Sequence, residues 1–178
     1  MTHGYNALSV RALSDRAAIH DLLLRYFRGC DRGDIELMKE CFFDDAHVDY
    51  GFFYSGRVSG FIEAAESPAA LAAYERTLHF VGNMLIELDG DTARSETYTI
   101  AHHVTNEQHE WAGAFVLVYM RYIDDFQRRD DRWGVARRVV SYEWLRRDTG
   151  GGFEPFPAGT MVGTRDRGDP VWTPAIIA

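Results

Sequence analysis

Two residues in this chain have the types and the placement to move a proton without help from a metal. His79 lies in residues 76–105, which read as two long strands joined at Asp89-Gly90, because an Asp-Gly pair tolerates the positive φ angles of a two-residue hairpin turn. Asp31 lies four residues after Phe27, extending an apolar stripe of Ile19, Leu22, Leu23, Tyr26, Phe27 and Cys30 whose spacing is that of an amphipathic helix. A carboxylate in the last turn of a helix opposes the helix dipole, and burying it is costly unless something pairs with it. An imidazole with a pKa of about 6.5 accepts a proton at neutral pH, and a carboxylate on its second nitrogen fixes the tautomer and favours the imidazolium that forms. Pairing Asp31 with His79 meets both needs. Two plainer readings stay open: Asp31 in a frayed last turn, facing water or capping Gly33, and His79 as a core histidine bonded to the backbone.

The hairpin also carries Thr77, Asn83, Glu96, Tyr98 and His102. With Asp89-Gly90 as the turn, Leu88 pairs with Asp91, which sets His79 opposite Ile100, Val81 opposite Tyr98, Asn83 opposite Glu96 and Thr77 opposite His102. The polar set then shares one face and His103 points away from it. Leu78, Phe80, Met84, Ile86 and Leu88 form the other face, expected to be core or a subunit interface. Tyr50, Tyr98 and His102 are the candidate hydrogen-bond donors to a carbonyl or a leaving hydroxyl, with Tyr50 and His102 assigned to the developing oxyanion or the leaving group. Tyr26, Phe27, Phe52, Tyr54 and Phe61, with Asn83 and Tyr98, are expected to line a pocket for a small hydrophobic molecule, cyclic or polyketide-like.

Other chemistries find less support. His102 and His103 are adjacent, with Glu107 and His109 nearby, but consecutive strand residues point to opposite faces and cannot easily share an ion. His109-Glu110-Trp111 does not continue into H-E-x-x-H, and the chain has no G-x-G-x-x-G, phosphate-binding P-loop or G-x-S-x-G. No metal and no cofactor are expected.

The elements that must position these residues follow from the rest of the pattern. Ser14 is the expected N-cap of the first helix, Gly33-Asp34 stops it and caps a second, and A-H-V-D-Y-G reads as a strand with Val48 and Tyr50 on one side. A loop with a brief strand near Arg57-Val58 leads to two short helices capped by Ser59 and Ser67, the latter followed by Pro68. After the hairpin, residues 111–126 and 133–144 read as β-branched and aromatic strands joined near Asp130-Asp131. The expected class is α+β, with N-terminal helices packed on a curved, mainly antiparallel sheet that encloses a pocket. Residues 1–149 form one domain on this reading. Residues 150–178, which hold four of the five prolines, form an irregular tail that packs on the domain or on a neighbouring subunit and must seat Phe153, Phe156 and Trp172.

Composition sets the outer bounds. A chain of 178 residues, 46% hydrophobic and 26% charged, suits one domain with a real core. The net charge of -8 and pI near 5.3 argue against a nucleic-acid partner. The arginines at 128, 129, 132, 137, 138, 146 and 147 are interrupted by Asp124, Asp125, Asp130, Asp131 and Asp148, and read as a solvated, charge-balanced sheet end. No basic region followed by an apolar run opens the sequence and no window reaches a membrane span, so a cytoplasmic protein without a membrane partner is expected. Cys30 and Cys41 do not make a disulfide framework.

Four segments carry a resemblance: A-I-H-D-L-L-L-R-Y-F-R-G-C-D-R-G-D, D-D-A-H-V-D-Y-G, T-L-H-F-V-G-N-M-L-I-E-L-D-G-D-T-A and M-R-Y-I-D-D-F-Q-R-R-D-D-R-W-G-V-A-R-R. Over roughly residues 14–147 the chain resembles the SnoaL-like branch of the NTF2-like superfamily, the branch that is also similar to scytalone dehydratase and hexachlorocyclohexane dehydrochlorinase. G-T-R-D-R-G-D-P in the tail is similar to members of the same group. The resemblance implies a cone-shaped α+β fold, no metal and a homo-oligomer, dimer or trimer. It also implies a lyase site in which Asp31 orients His79, with Tyr50 and His102 assisting. The dehydrochlorinase-like basic residue one turn before the aspartate has no counterpart, since Tyr26 and Phe27 lie there, and this favours dehydratase-like or isomerase-like chemistry. The alternative is a binding module without catalysis, either a carrier of an apolar ligand or a small subunit like that of a ring-hydroxylating dioxygenase.

Overall fold

The computed structural model describes residues 9–149 and 156–172. Four helices, α1 (Val10–Arg32), α2 (Ile35–Lys39), α3 (Val58–Glu66) and α4 (Pro68–Ala72), accompany six strands. These are β1 (Phe42–Asp49), β2 (Ser55–Arg57), β3 (Tyr74–Asp89), β4 (Thr92–Thr105), β5 (Phe115–Arg129) and β6 (Arg132–Asp148). The strands form one unclosed sheet in the order β2-β1-β6-β5-β4-β3, antiparallel except where β1 runs parallel to β6. The α+β class with a four-strand meander is as the sequence led one to expect.

Helix α1 is longer than its apolar stripe suggested. It starts at Val10, and the N-cap is Ser9, whose hydroxyl accepts the Ala12 N–H at 3.1 Å, in place of Ser14. Its buried side chains, Ile19, Leu23, Tyr26, Phe27 and Asp31, include four residues of the expected stripe, with Leu22 and Cys30 half-buried beside them. Gly33 closes it in the left-handed region at φ 63°, a conformation with little cost only for glycine. Asp34 then caps α2 by accepting the Leu37 N–H at 3.3 Å. Helix α3 starts after Arg57 with no side-chain cap, not at Ser59, whereas Ser67 caps α4 ahead of Pro68 as expected.

The register of the β3–β4 hairpin differs from the expected one in two ways. Its turn is Gly90-Asp91, with Asp89 paired to Thr92 and Gly90 at φ 59°, because glycine suits the first central position of such a turn. Between Val81 and Met84 the ladder also slips by one residue, a β-bulge at Gly82-Asn83. Below the bulge Met84 and Ile86 turn inward with Thr97 and Ser95; above it the inward residues are Val81, His79 and Thr77. One extra residue reverses which neighbour shares a face. His79 therefore pairs with Ala101 and Thr77 with His103, while His102 sits beside Leu78 on the outer face. The apolar residues on this strand consequently split, with Ile86 buried and Leu78 and Phe80 exposed.

The core lies between α1 and the inner face of the sheet, where Ile19, Leu23, Tyr26 and Phe27 meet Val48, Tyr50, Tyr122, Phe126, Val135 and Val140, capped by Val58, Phe61 and Ile62 of α3. Strand β3 is a sheet edge, and the C-terminal end of α1 lies along it. The tail packs on the same end of α1: Arg32 pairs with Asp169 at 3.3 Å and donates to the Thr164 carbonyl at 3.1 Å. Trp172 lies under the Arg28 and Arg167 guanidiniums, whereas Phe156 is exposed and Phe153 falls outside the described residues.

Candidate active site

Asp31 and His79 come together where α1 meets the free edge of β3. The Asp31 carboxylate, only 7% exposed as a residue, accepts the His79 backbone N–H through both oxygens, at 2.9 and 3.1 Å, and meets His79 Nδ1 at 2.7 Å. Because an ionised carboxylate can only accept, Nδ1 carries a proton, and in the neutral ring Nε2 is then the acceptor. Burial pushes the Asp31 carboxyl up, but the hydrogen bonds from the His79 ring and backbone and the charges of His79 and Arg32 outweigh it, so it lies below the ordinary carboxylate value. Thr77 Oγ1, on the same strand, donates to the Cys30 carbonyl at 3.4 Å. Neither a frayed, solvent-facing Asp31 nor a histidine bonded only to backbone describes this arrangement.

Around the pair stands an aromatic wall. Phe27 lies 5.6 Å from the His79 ring and 5.0 Å from Tyr122, centroid to centroid. The Tyr26 and Tyr50 hydroxyls are 2.6 Å apart, and Tyr50 stacks on Phe61 at 4.5 Å. Burial pushes the Tyr50 phenol up to about 12, against the lowering pull of Arg138, so it is a hydrogen-bond donor at neutral pH. Tyr54 is tied to the Arg57 carbonyl at 2.7 Å and lies 6.0 Å from Phe61. Of the expected site residues, Asp31, His79, Tyr50, Tyr26, Phe27 and Phe61 thus share one interior.

Four others do not. Phe52 is 85% exposed and leans on Tyr142. Asn83 occupies the bulge and Tyr98 is exposed, and both border a groove of about 560 Å³ on the outer face. His102 lies on that face as well, 5.9 Å from Phe115, because the bulge changed the register. The histidine that shares the interior is His103, whose ring stands edge-on to His79 at 5.7 Å and 5.0 Å from Tyr74. Burial, with the neighbouring His79, pushes its pKa down to about 3, so His103 is neutral at physiological pH.

The sequence reading also missed a buried ion pair. Arg138 Nε and Nη2 donate to the two Asp124 oxygens at 2.7 and 2.9 Å, with both side chains 0% exposed, which corrects the reading of these residues as a solvated sheet end. The guanidinium sits 4.1 Å from the Tyr26 ring centroid and 4.8 Å from that of Tyr122, and its Nη1 donates to the Tyr50 hydroxyl at 3.4 Å. The missed signal was phase: Asp124 lies two residues from both Tyr122 and Phe126, and Arg138 two from Val140, so each shares the inward face of those residues. Arg121, in contrast, is held on the outer face by Glu96 and Glu143.

Two groups make the fold acid-sensitive in different windows. His103 is depressed to about 3, against an unfolded value near 6.5, so the unfolded chain takes up a proton that the native chain refuses. Stability should therefore fall as pH drops from about 6.5 toward 3. The Asp31 contribution is complete above its unfolded value of 3.8 and is lost only as pH falls through the lower native value. Urea melts of His103→Gln should show a flatter slope between about pH 4 and 6.5, with the loss below pH 4 kept. A slope identical to that of the wild type would refute this assignment.

A family model described as a SnoaL-like domain matches residues 11–139. An uncharacterized protein of Mycobacterium tuberculosis (strain H37Rv) is 30% identical over 134 residues, covering 74% of this chain and 88% of its own. Among solved structures, a type 2 hexachlorocyclohexane dehydrochlorinase (LinA) superposes with a TM-score of 0.70 at 20% identity, covering 83% of this chain and 97% of its own. A Novosphingobium aromaticivorans protein provisionally named a scytalone dehydratase does so with a TM-score of 0.67 at 18% identity, covering 83% of this chain and 95% of its own. The two superpositions concern the fold: helices on a six-stranded, unclosed sheet, as in NTF2-like proteins. With its family model spanning most of its length, this chain belongs to the SnoaL-like family.

Proposed function

We propose that the protein is a cofactor-independent lyase or isomerase of dehydratase-like type, with His79 as its base. The observation that carries this reading is the 2.7 Å contact between His79 Nδ1 and a buried Asp31 carboxylate, which leaves Nε2 as the ring's acceptor. In this mechanism Nε2 takes a proton from a carbon beside a carbonyl, and the electron pair moves onto the carbonyl oxygen. Asp31 stabilises the imidazolium that forms. Tyr50, held by Tyr26 and Arg138, donates to the developing oxyanion, and neutral His103 takes the assisting role that the sequence reading gave to His102. As the oxyanion returns its electron pair and the carbon–oxygen bond of a β-hydroxyl breaks, the Nε2 proton of the His79 imidazolium passes to the leaving oxygen, which departs as water; delivery of the same proton to another carbon instead completes an isomerisation, and either route returns the ring to its starting state. Phe27, Phe61, Tyr26 and Tyr122 suit a small hydrophobic substrate, cyclic or polyketide-like. The two dehydrohalogenase and dehydratase names among the structural neighbours support the lyase class.

Hydrogen–deuterium exchange at the carbon next to the carbonyl of a cyclic aromatic ketone such as 1-tetralone tests the base without knowledge of the natural substrate. Wild-type protein should accelerate the exchange, and His79→Ala and Asp31→Asn should each lower that rate by about 10²-fold or more. Full exchange by His79→Ala would sink the mechanism.

The same reading includes a cytoplasmic homo-oligomer, a dimer or trimer. Both cysteines, Cys30 and Cys41, are free thiols, as suits a reducing compartment. The outer sheet face exposes Leu78 at 52%, Phe80 at 63%, Leu85 at 58% and Trp144 at 61%, an apolar surface of the kind that copies of a chain cover. Sedimentation of Phe80→Glu with Trp144→Glu should give a smaller species than wild type. A wild-type protein that sediments as a monomer would exclude this assembly.

A further inference from the structure

The segment G-T-R-D-R-G-D-P, residues 163–170, is the part of the sequence that the proposed mechanism leaves unused. Arg165 in it reaches to the two elements that carry the dyad. Its Nη2 donates to the carbonyl of Cys30, the α1 residue next to Asp31, at 3.4 Å. Its Nη1 donates to the carbonyl of Tyr74, the first residue of β3, at 3.3 Å. Both acceptors are groups that secondary structure leaves over: Cys30 is among the last four residues of a helix, and β3 is a sheet edge. Both arms of the guanidinium are thus held by main-chain carbonyls, and its centre lies 6.0 Å from the Tyr74 ring centroid.

We propose that Arg165 is a positioning residue for the His79–Asp31 dyad: by bridging the main chain of α1 beside Asp31 to the start of β3, it fixes the separation across which carboxylate and imidazole meet. The proposal rests on the reading of that dyad as a catalytic base. A planar guanidinium with donors on both arms can span two carbonyls at once, which a lysine ammonium on a flexible stem does less rigidly. The bridge adds to the other contacts that join α1 to β3 at this end, namely the Thr77 bond to Cys30, the Asp31 bonds to His79 and the packing of the Phe27 ring on His79. The tail is seated independently of Arg165. Arg32 pairs with Asp169, and Asp169 in turn accepts the Thr164 N–H at 2.8 Å and the Val171 N–H at 3.0 Å. The tail backbone also lies close on the helix cap, since a Cβ on Gly33 would stand 2.9 Å from the Arg165 carbonyl oxygen.

The charged and titratable groups around the dyad are Asp31, Cys30 and Arg32 from α1, His103 from β4, Tyr74 from β3 and Arg165 from the tail. This makes the titration of His79, followed by NMR in the full chain, a readout that separates two effects of substitution. Loss of one positive charge alone moves the midpoint up, because the imidazolium is repelled less. Separation from Asp31 moves it down, because the imidazolium loses its counter-charge. Arg165→Gln and Arg165→Lys should both move it down, and both should lower the rate of ketone exchange by about tenfold or more with KM little changed. The amide signals of Thr164 and Val171 should stay in place, showing that the tail remains docked. A midpoint that stays or rises in Arg165→Gln overturns the proposal, and so does an Arg165→Lys protein that behaves as wild type, since charge rather than the bridge would then be acting. The titration needs no substrate, so a failure of the base reading, seen as turnover by His79→Ala, is distinguishable from a failure of the bridge.

Discussion

A carboxylate at the wrong end of a helix is the constraint on which this site depends. Asp31 stands in the last turn of α1, where the carbonyl ends of the peptide dipoles already concentrate negative charge, and it is buried. Each circumstance alone would favour the neutral acid. What reverses the balance is a set of donors from a single residue: the His79 backbone N–H, which an edge strand leaves unpaired, and the His79 ring. One contact thereby does two things. It satisfies the edge N–H of β3 and the buried Asp31 carboxylate together, and it leaves the imidazole with a proton on Nδ1.

The second buried charge is of a different kind. Arg138 and Asp124 meet in a bidentate pair wholly out of water, and such a pair contributes little net stability over apolar residues of the same volume. Its effect is geometric. The guanidinium lies among the rings of Tyr26, Tyr122 and Phe42 and reaches the Tyr50 hydroxyl, so the phenol is held from two directions. Cation, phenols and dyad occupy one interior because α1 and the inner face of the sheet present alternating polar and apolar residues to each other.

Much of this was legible in the sequence where local periodicity governs. The α1 stripe placed Tyr26, Phe27 and Asp31 on one face, and the α+β order followed from helices preceding a run of long strands. Register was not legible, because it depends on a bulge at Gly82-Asn83 that has no unambiguous composition signal, and a shift of one residue exchanges the two faces of a strand. That slip is why His103 rather than His102 stands beside His79, and why Tyr98 and Asn83 lie outside. Arg138 and Asp124 were hidden among charged neighbours; only their phase with Tyr122, Phe126 and Val140 marks them as interior.

The state of the His79 ring tests the account most directly. Ring-nitrogen NMR shifts of 15N-histidine-labelled protein at neutral pH, assigned by comparison with His79→Ala, report which nitrogen carries the proton. The account predicts that the neutral form of the ring carries its proton on Nδ1 with Nε2 unprotonated, and that this preference is lost in Asp31→Asn. A neutral ring with its proton on Nε2 in the wild-type protein would contradict it, since the nitrogen assigned to accept the substrate proton would already hold one.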